Sequence, residues 1–545
     1  MVNIKINGVA CSVPEGSTIL EASRIAGINI PTLCYLKDIN AIGACRICVV
    51  EVKGARSLVA ACVYPVNEGM EIFTNTPKVV ESRRTTLELI LSNHKKECLS
   101  CVRSGSCELQ ALCNEYGVDE NHFDGENPAV EIDNSAVHMS RDNSKCILCR
   151  RCVAACAVTQ GIGVIGANER GFATQIASAF DMNLADTACV SCGQCITACP
   201  TGALTEKDDT QKVLDAIADP DKFVVVQAAP AVRASLGEAF GLPVGTNVEG
   251  KMIAALRRLG FDKVFDTNFS ADLTIMEEAT EFLDRVKNGG TLPLITSCSP
   301  GWIRYCENYF PEFIPNLSTC KSPQQMFGAV VKTYYAQKLG KNPEDIVSVS
   351  VMPCTAKKFE IGREDQSAAG VPDLDISITT RELARLIKKA GIMFNDLPDE
   401  VCDSPLGTGT GAAVIFGATG GVMEAALRTA VWTLTGKPDS TPVEFKEVRG
   451  VEGIKEATYN VAGMEVKVAV ASGLANAKAL LKKVKAGEAS YHFIEIMGCP
   501  GGCVNGGGQI IQPASVRNFS AQSALRYSTV STRRTRCASR TRTPT

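Results

Sequence analysis

The chain has 545 residues, of which 45% are hydrophobic and 21% are charged, so it is long and apolar enough for several domains with buried cores. The formal net charge is only −3, and this balance gives no indication of nucleic acid or an anionic membrane surface as a partner. Apolar and polar residues alternate over residues 1–8, as they do in a strand. The sequence contains neither the apolar core of a signal peptide nor an apolar run of membrane-spanning length. We therefore predict a cytoplasmic protein.

The 25 cysteines fall into tight groups, many with two residues between neighbouring cysteines. In a small secreted chain this number would predict a disulfide framework. In a long chain without an export signal it favours metal binding, and the repeated C-x2-C spacing favours iron-sulfur clusters in particular.

Residues 1–78 form the first predicted domain. Two short strands flank a turn at Asn7 and Gly8, and a helix-like stretch from Ser17 to Ala26 has Ser17 as its expected N-cap. A C-x10-C-x2-C-x13-C array follows, close to the plant-type [2Fe-2S] pattern but with a longer first gap. It resembles the ferredoxin-like domain of respiratory complex I, and a zinc site is the alternative. The expected ligands are Cys34, Cys45, Cys48 and Cys62.

Residues 79–120 form a second predicted segment, which opens with a helix-like stretch, Val79–Leu91, and continues with an H-x3-C-x2-C-x5-C pattern. A lone histidine near a helix end usually has no special role, but imidazole is a competent iron ligand. The spacing resembles the [4Fe-4S] segment with one histidine and three cysteines in the same complex I relatives. The expected ligands are His94, Cys98, Cys101 and Cys107, and Cys113 is expected to be a buried thiol.

Residues 138–209 contain an internal repeat of C-x2-C-x2-C-x3-C, the signature of bacterial ferredoxins with two [4Fe-4S] clusters. In that architecture the fourth cysteine of each run binds the cluster of the other run. One expected ligand set is Cys146, Cys149, Cys152 and Cys199, and the other is Cys189, Cys192, Cys195 and Cys156.

From about residue 221 buried strands alternate with amphipathic helices, which predicts parallel sheets flanked by helices over a domain spanning 221–512. Two Gly-rich stretches, at 407–411 and 417–421, do not meet the dinucleotide fingerprint, so we expect close packing there and no Rossmann NAD site. The predicted strands are Phe223–Gln227, Lys263–Asp266, Leu292–Ile295, Ile346–Val351 and Glu465–Ala471. The predicted helices are Ala231–Phe240, Lys251–Leu259, Leu273–Lys287, Pro323–Lys338, Thr380–Ala390, Val422–Thr433 and Ala475–Lys485.

Three segments of this domain carry cysteines just beyond strand-like runs. They are residues 296–302 around Cys298, residues 352–360 around Cys354, and residues 495–508 with Cys499 and Cys503. The last segment contains six glycines. Because glycine is costly unless φ is positive or the backbone must approach a neighbour closely, we expect this loop to lie against a bulky group. A turn with two buried structural cysteines is the alternative.

These segments resemble the three signature motifs of the iron-only ([FeFe]) hydrogenases, and the resemblance extends to about residue 512. It implies a six-iron H-cluster, in which a [4Fe-4S] cubane is joined through Cys503 to a di-iron unit that carries CO, cyanide and a bridging amine. It also implies a fold class: multidomain α+β and α/β, with a β-grasp ferredoxin-like domain, a His/Cys cluster segment, a two-[4Fe-4S] ferredoxin domain and a large α/β hydrogenase domain with parallel sheets.

The resemblance further implies roles for individual residues of this chain. A proton relay would start at Cys298 and pass through Glu278, Ser318, Glu281 and Arg285; without the resemblance, the two acids would be read as part of a solvated helix face. Lys357 would supply a cation that holds a cyanide ligand. The pocket would be lined by Pro230, Gln324, Met352 and Met497, and the iron ligands would include Cys354, Cys499 and Cys503.

Ser299 stands where the family has the second of two adjacent cysteines. Matching assigns Cys298 to the proton relay and the following position to the cubane, although iron in a sulfide cluster prefers a thiolate to a hydroxyl. Either Ser299 binds iron through oxygen, or the loop shifts and Cys298 becomes the ligand. Because neighbouring side chains of an extended loop point to opposite sides and Pro300 restrains the backbone, we predict that Ser299 faces the iron.

The predicted function is reversible oxidation of H2 to protons and electrons, with electron relay through one [2Fe-2S] and three accessory [4Fe-4S] clusters. Four accessory clusters exceed what a soluble ferredoxin partner needs, so we expect a hetero-oligomer in which other subunits carry flavin and an NAD(P) site. NAD, NADP and ferredoxin all stay open as acceptors, and so does bifurcation. The alternatives are a non-catalytic iron-sulfur assembly protein and a complex I-like electron-transfer subunit, and the latter leaves the three C-terminal motifs unexplained.

The last segment, residues 513–545, is rich in Ser, Thr and Arg and contains no acidic residue. It shows no apolar periodicity, which predicts disorder. The family continues at this point with a helical arm that wraps the catalytic domain, and this segment does not resemble that arm.

Overall fold

The N-terminal domain is built on a five-stranded sheet with the strand order β2-β1-β5-β3-β4. Its elements are β1 (Val2–Ile6), β2 (Val9–Val13), α1 (Ile19–Ile25), β3 (Val49–Val52), β4 (Val59–Ala60) and β5 (Glu71–Phe73). Every second side chain of β1 enters the core beneath α1, as strand geometry requires. The predicted hairpin at Asn7 and Gly8 is confirmed, but the helix is capped by Thr18 in a capping box and not by Ser17.

The structure is a computed structural model and describes residues 1–118, 122–123, 130–404, 411–436, 453–461, 463–512 and 526.

Two helices follow the first domain, α2 (Pro77–Ser92) and α3 (Glu108–Tyr116). The cysteine-rich domain after them contains two short antiparallel pairs, β6 with β9 and β7 with β8. Its elements are β6 (Met139–Arg141), α4 (Arg151–Ala154), β7 (Ile165–Asn168), β8 (Gln175–Ser178), α5 (Gln194–Ala198) and β9 (Leu204–Glu206).

The large C-terminal domain contains two four-stranded sheets. The first has the order β11-β10-β13-β14 and is parallel throughout. The second has the order β12-β17-β16-β15 and is parallel except for its edge strand β15, which pairs antiparallel with β16. The strands are β10 (Phe223–Ala228), β11 (Lys263–Asp266), β12 (Leu294–Ile295), β13 (Ile346–Met352), β14 (Ile376–Thr379), β15 (Ile454–Val461), β16 (Met464–Ser472) and β17 (Phe493–Met497).

Helices cover both faces of each sheet, because all-parallel strands are apolar on both sides. The first sheet packs against α6, α7 and α13 on one face and against α10 and α11 on the other; the second packs against α8 and α15 on one face and against α9 and α16 on the other. The helices are α6 (Thr210–Ala218), α7 (Glu249–Leu259), α8 (Asn268–Asn288), α9 (Pro300–Tyr309), α10 (Pro323–Val330), α11 (Ala336–Leu339), α12 (Lys357–Glu360), α13 (Thr380–Lys389), α14 (Gly411–Val414), α15 (Gly421–Thr435) and α16 (Leu474–Lys485).

One predicted helix is wrong: residues 231–240 form two separate turns of 3-10 helix, Val232–Ala234 and Leu236–Phe240. Tertiary contacts explain the break, because Arg233 is drawn into ion pairs with Glu249 and Asp266 and a Cβ on Gly237 would lie 3.0 Å from Val248. The predicted helix 323–338 is present as α10, a π-helical turn and α11. Helix α9 was not predicted.

Two predictions concern residues outside the described part of the chain. They are the Gly-rich stretch at 407–410 and the disorder of 513–545. Within that tail the structure describes Arg526, which is 4% exposed and forms an ion pair with Glu238 at 2.6 Å. The disorder of the tail stays a prediction.

Candidate active site

A cavity of about 100 Å³ lies where the carboxyl ends of strands from both sheets of the C-terminal domain meet. Ligand sites of open α/β sheets are found at such strand ends. The cavity is lined by residues that directly follow β10, β11, β12, β13 and β17, and by the Gly417–Val422 stretch. All four residues predicted to line the pocket border it: Pro230, Gln324, Met352 and Met497.

Cys354, Cys499 and Cys503 border this cavity together. Burial and, to a smaller extent, the neighbouring Cys354 raise the pKa of the Cys503 thiol to about 12. A raised pKa favours the protonated thiol, whereas a nearby cation would lower the pKa and stabilise the thiolate. The donor set therefore fits an iron-containing group.

The glycines of the third motif are needed partly for contact with protein and not only for contact with a ligand. A Cβ on Gly506 would lie 2.1 Å from the carbonyl oxygen of Pro353, and a Cβ on Gly507 would lie 2.2 Å from that of Cys192. Side chains at these two positions would separate the cysteine-bearing loops from one another. The same explanation holds for Gly421, where a Cβ would lie 2.0 Å from the carbonyl oxygen of Ile415.

Cys298 and Ser299 both border the cavity but have different neighbours. The Ser299 hydroxyl accepts a hydrogen bond from the backbone N–H of Gly498 at 3.3 Å, which places it beside the loop that carries Cys499. Burial raises the pKa of the Cys298 thiol well above its usual value, and the nearby Glu278 raises it further. Ser299 thus bonds the loop that carries Cys499, and Cys298 has the acid Glu278 among its neighbours.

Lys357 is buried, and its ammonium group is already bonded to protein acceptors. It donates to the carbonyl oxygen of Cys298 at 3.2 Å, to Ser322 Oγ at 2.8 Å and to both carboxylate oxygens of Glu360. Gln324 Nε2 donates to the same carboxylate at 2.9 Å. The sequence analysis assigned no role to Glu360 or Ser322, because their function is to hold other side chains and neither has a spacing that identifies it.

Glu278 lies on α8, is 2% exposed and lies close enough to Cys298, which borders the cavity, to affect its thiol. Burial raises the pKa of its carboxyl group to about 8, and the neighbouring Glu281 contributes in the same direction. The neighbouring Ser318 hydroxyl and the backbone of Ser297 oppose this rise. Glu278 is therefore a protonated acid at neutral pH, in contact with a serine that can pass a proton onward.

Glu281 connects this pair to the protein surface. Its carboxylate accepts hydrogen bonds from Ser318 Oγ at 3.0 Å, from the Thr319 N–H at 3.0 Å and from Arg285 at 2.6 Å. The Cys320 thiol donates to the same carboxylate at 3.8 Å. Hydrogen bonds thus join three of the predicted relay residues, Ser318, Glu281 and Arg285. The other two, Cys298 and Glu278, lie close enough for the charge of Glu278 to affect the Cys298 thiol, and Ser318 affects the pKa of Glu278.

The eight cysteines of the domain before the catalytic domain line two further cavities. One, of about 30 Å³, is bordered by Cys156, Cys189, Cys192 and Cys195. The other, of about 20 Å³, is bordered by Cys146, Cys149, Cys152 and Cys199. The fourth cysteine of each run lies with the first three of the other run, which is the grouping that the spacing predicts.

The N-terminal arrays adjoin these cavities. The thiols of four cysteines lie close enough together for each to affect the pKa of another: Cys34, Cys45, Cys48 and Cys62. Asn40 Nδ2 donates to the carbonyl oxygens of Cys34 at 2.7 Å and of Cys149 at 3.1 Å, which joins this array to the next domain.

The histidine of the second array has the state that a ligand needs. Burial lowers the pKa of His94 to about 4, so its imidazole is neutral at neutral pH, and its Nδ1 is buried without a hydrogen-bond partner. Cys101 packs against the residues after the ferredoxin-like runs, because a Cβ on Gly202 would lie 2.7 Å from its sulfur. Cys98 is exposed, and Cys113 is a buried thiol as predicted.

Two features are absent from the part of the chain that the structure describes: a compact site for a single metal ion and a membrane-spanning helix. Among the described residues, no three His, Cys, Asp or Glu side chains converge tightly enough to hold a single metal ion. In the same residues, no helix is both long and apolar enough to cross a membrane.

Four family models match successive parts of the chain. Residues 222–507 match the model of the iron only hydrogenase large subunit, C-terminal domain. Residues 1–77 match a 2Fe-2S iron-sulfur cluster binding domain, residues 83–122 match the NADH-ubiquinone oxidoreductase-G iron-sulfur binding region, and residues 145–203 match a 4Fe-4S dicluster domain.

Individual relatives are similar over most of their length. The chain is 52% identical to the NADP-reducing hydrogenase subunit HndD of Solidesulfovibrio fructosivorans over 538 residues, which covers 97% of this chain and 92% of HndD. It is 46% identical to iron hydrogenase 1 of Clostridium pasteurianum, covering 93% of this chain and 89% of that protein. The solved structure of apo [FeFe]-hydrogenase HydA1 from Chlamydomonas reinhardtii matches with a TM-score of 0.52 at 42% identity and covers 59% of this chain and 88% of that one.

Proposed function

This chain belongs to the iron-only hydrogenase family, and from that premise we propose that it interconverts H2 with protons and electrons, using a six-iron centre in the cavity of the catalytic domain. The observation that carries the proposal is the meeting of the three cysteine motifs at one cavity that also borders a buried acid relay. A complex I-like subunit that only transfers electrons would leave this meeting unexplained.

We propose Ser299, Cys354, Cys499 and Cys503 as the residues that hold the centre, with Pro230, Gln324, Met352 and Met497 as its walls. When bound, the centre supplies the iron sites at which the H–H bond breaks or forms. Lys357 provides the positive charge of the pocket, and Glu360 and Ser322 fix the position of its ammonium group. The apolar walls keep water away from these charges.

Protons leave by the five predicted relay residues. The thiol of Cys298 and the carboxyl of Glu278 both hold protons at neutral pH because they are buried. Ser318 can donate to one acid while it accepts from the other, so it can transfer a proton without moving its backbone. Glu281 receives that proton, and Arg285 holds Glu281 toward the surface.

The four cysteine arrays fit one [2Fe-2S] and three [4Fe-4S] accessory clusters that relay electrons. We propose the domain division 1–78, 79–120, 138–209, 221–512 and 513–545, with the first two segments facing partner subunits. HndD is named as a subunit of an NADP-reducing hydrogenase, and by analogy we propose partners that carry flavin and an NAD(P) site in a cytoplasmic hetero-oligomer.

Infrared spectroscopy of the purified protein tests this function. Bands of iron-bound CO and cyanide, together with H2 turnover, are expected. An iron-sulfur protein that lacks both bands and turnover would contradict the proposal and favour an assembly protein.

The assignment of Ser299 has its own test, which compares Ser299→Cys with Cys298→Ala. If Ser299 binds iron through oxygen, Ser299→Cys raises cubane occupancy, since thiolate is the better ligand, while Cys298→Ala lowers H2 turnover with little change in iron content. Loss of the cubane spectrum in Cys298→Ala would reverse the assignment and make Cys298 the ligand.

A further inference from the structure

His138 borders the cavity lined by Cys156, Cys189, Cys192 and Cys195, and it has no role in the proton relay. It lies directly before β6 and is 2% exposed. Its Nε2 lies 3.9 Å from the sulfur of Cys189. This separation allows a hydrogen bond, because sulfur is larger than oxygen. An imidazole nitrogen is therefore placed against an expected iron ligand.

Backbone hydrogen bonds hold both partners of this contact. The His138 carbonyl oxygen accepts from the Lys207 N–H at 3.1 Å, and β6 pairs with β9 directly after it. The Cys189 N–H donates to Thr187 Oγ1 at 3.3 Å. Because both backbones are held and the imidazole is buried, it stays beside the sulfur.

The wall of this cavity suits a negatively charged occupant. Arg141, at the end of β6, borders the cavity, and its Nη1 is buried without a hydrogen-bond partner in the part of the chain that the structure describes. Its Nη2 is paired with Asp133 at 3.0 Å. An iron-sulfur cluster with four thiolate ligands is negatively charged, and charged acceptors make the stronger hydrogen bonds with such N–H groups.

We propose that His138 donates a hydrogen bond from Nε2 to the Cys189 sulfur and thereby raises the reduction potential of the [4Fe-4S] cluster in this cavity. The proposal rests on the proposed function, in which Cys189 is a ligand of that cluster. A thiolate bound to iron carries no proton, so His138 is the donor in this contact. Hydrogen bonds to ligand sulfurs help to set a cluster's potential, and the negative charge added on reduction strengthens them.

The cavity of this cluster adjoins the catalytic cavity. A Cβ on Gly507, in the third motif, would lie 2.2 Å from the carbonyl oxygen of Cys192, which borders the same cavity as Cys189. This cluster is thus placed to exchange electrons with the catalytic centre. A higher potential makes it a better acceptor of electrons from that centre and a weaker donor to it, so His138 favours H2 oxidation over H2 production.

The test is a redox titration of the full-length holoenzyme, followed by electron paramagnetic resonance of the reduced [4Fe-4S] clusters. His138→Met and His138→Gln form a matched pair, because the two side chains have similar length and only glutamine keeps an N–H donor. We expect the midpoint potential of one [4Fe-4S] signal to fall in His138→Met and to stay near the wild-type value in His138→Gln. The [2Fe-2S] signal of the same sample is the internal reference and should not shift.

If His138→Met does not bind this cluster, His138→Phe takes its place, because phenylalanine keeps a ring and lacks the N–H. A wild-type potential in the variant without the donor, or an equal shift in His138→Gln, would overturn the proposal and leave the hydrogenase function standing. Loss of this cluster from both His138→Met and His138→Phe would also overturn it, since the residue would then be structural. Absence of [4Fe-4S] signals from the wild type would instead overturn the proposed function.

Discussion

Glu278 and Glu281 lie three residues apart on α8 but have different surroundings. Glu278 is enclosed, and burial raises its pKa to about 8. Glu281 accepts hydrogen bonds from a hydroxyl, a backbone N–H and a guanidinium group, which is the environment of a carboxylate. Two neighbouring acids with different protonation states form a proton donor and a proton acceptor.

Glu281→Gln should lower H2 turnover by on the order of 10²- to 10⁴-fold, because a neutral amide cannot accept the proton from Ser318. The infrared bands of the six-iron centre should not change, since no expected iron ligand contacts Glu281. Glu277→Gln is the control, because Glu277 is exposed on the same helix. Turnover of Glu281→Gln near the wild-type level would remove this residue from the relay.

Glu278 also predicts a pH dependence of stability. Its pKa is raised from 4.5 to about 8 in the folded protein, so between these values the folded state keeps a proton that the unfolded state has lost. Stability then falls as the pH rises through this range, by on the order of 1 kcal/mol per pH unit. Thermal unfolding of Glu278→Gln, which cannot ionise, should depend less on pH between about 5 and 8 than that of the wild type. Parallel curves for the two proteins would contradict this interpretation.

At the scale of elements, periodicity identified most strands and helices of the catalytic domain. The strand Lys263–Asp266 and the helix α13 were predicted nearly to the residue. The strand is a short run centred on the buried Val264 and Phe265, and the helix buries Leu383, Leu386 and Ile387 at helical spacing. Helix α9 was missed although Pro300 at its first turn is a start signal. The 3-10 turns after β10 were missed because buried ion pairs of Arg233, which sequence spacing does not reveal, override helix propensity.

The site residues likewise divide into those that a sequence pattern predicted and those that no pattern marks. Cysteine spacing predicted which cysteines border the two smaller cavities, since ligand geometry imposes a spacing on the chain. The residues of the catalytic cavity were predicted from the resemblance to the hydrogenase motifs. Other supporting groups bond across long stretches of sequence, and no local pattern marks them: Glu360 accepts from Ser322 and Gln324, and the Thr319 N–H donates to Glu281.

The fourth cysteine of each ferredoxin-type run lies with the first three cysteines of the other run, and this crossed grouping can be tested. Cys199→Ser should remove the cluster of the first run, with a loss of about four iron atoms per chain, although Cys199 belongs to the second run. The cluster bordered by Cys189, Cys192 and Cys195 should keep its signal. Electron paramagnetic resonance and iron analysis of the reduced protein measure this, and loss of the second-run signal alone would contradict the crossed grouping.

For the whole molecule, the N-terminal domains are expected to connect catalysis to the partner subunits. A protein that begins near residue 210 keeps the catalytic cavity and the proton relay, so it should still evolve H2 with a strong artificial reductant. It should lose electron exchange with NAD(P) through partner subunits. Both activities can be measured on the same preparation, and retained NAD(P) coupling would show that electrons enter the catalytic domain directly.

Because the cavity lies between the two sheets, a bound cofactor would link one sheet to the other. Cys354 follows a strand of the first sheet, whereas Cys499 and Cys503 follow a strand of the second. A group bound to all three cysteines would connect the core of the first sheet to that of the second. Its binding free energy would then add to the free energy that holds the two sheets together. Amide hydrogen exchange at the ends of β13 and β17 should therefore be slower in loaded protein than in protein expressed without cofactor assembly, and equal rates would show that the two sheets already move as one body.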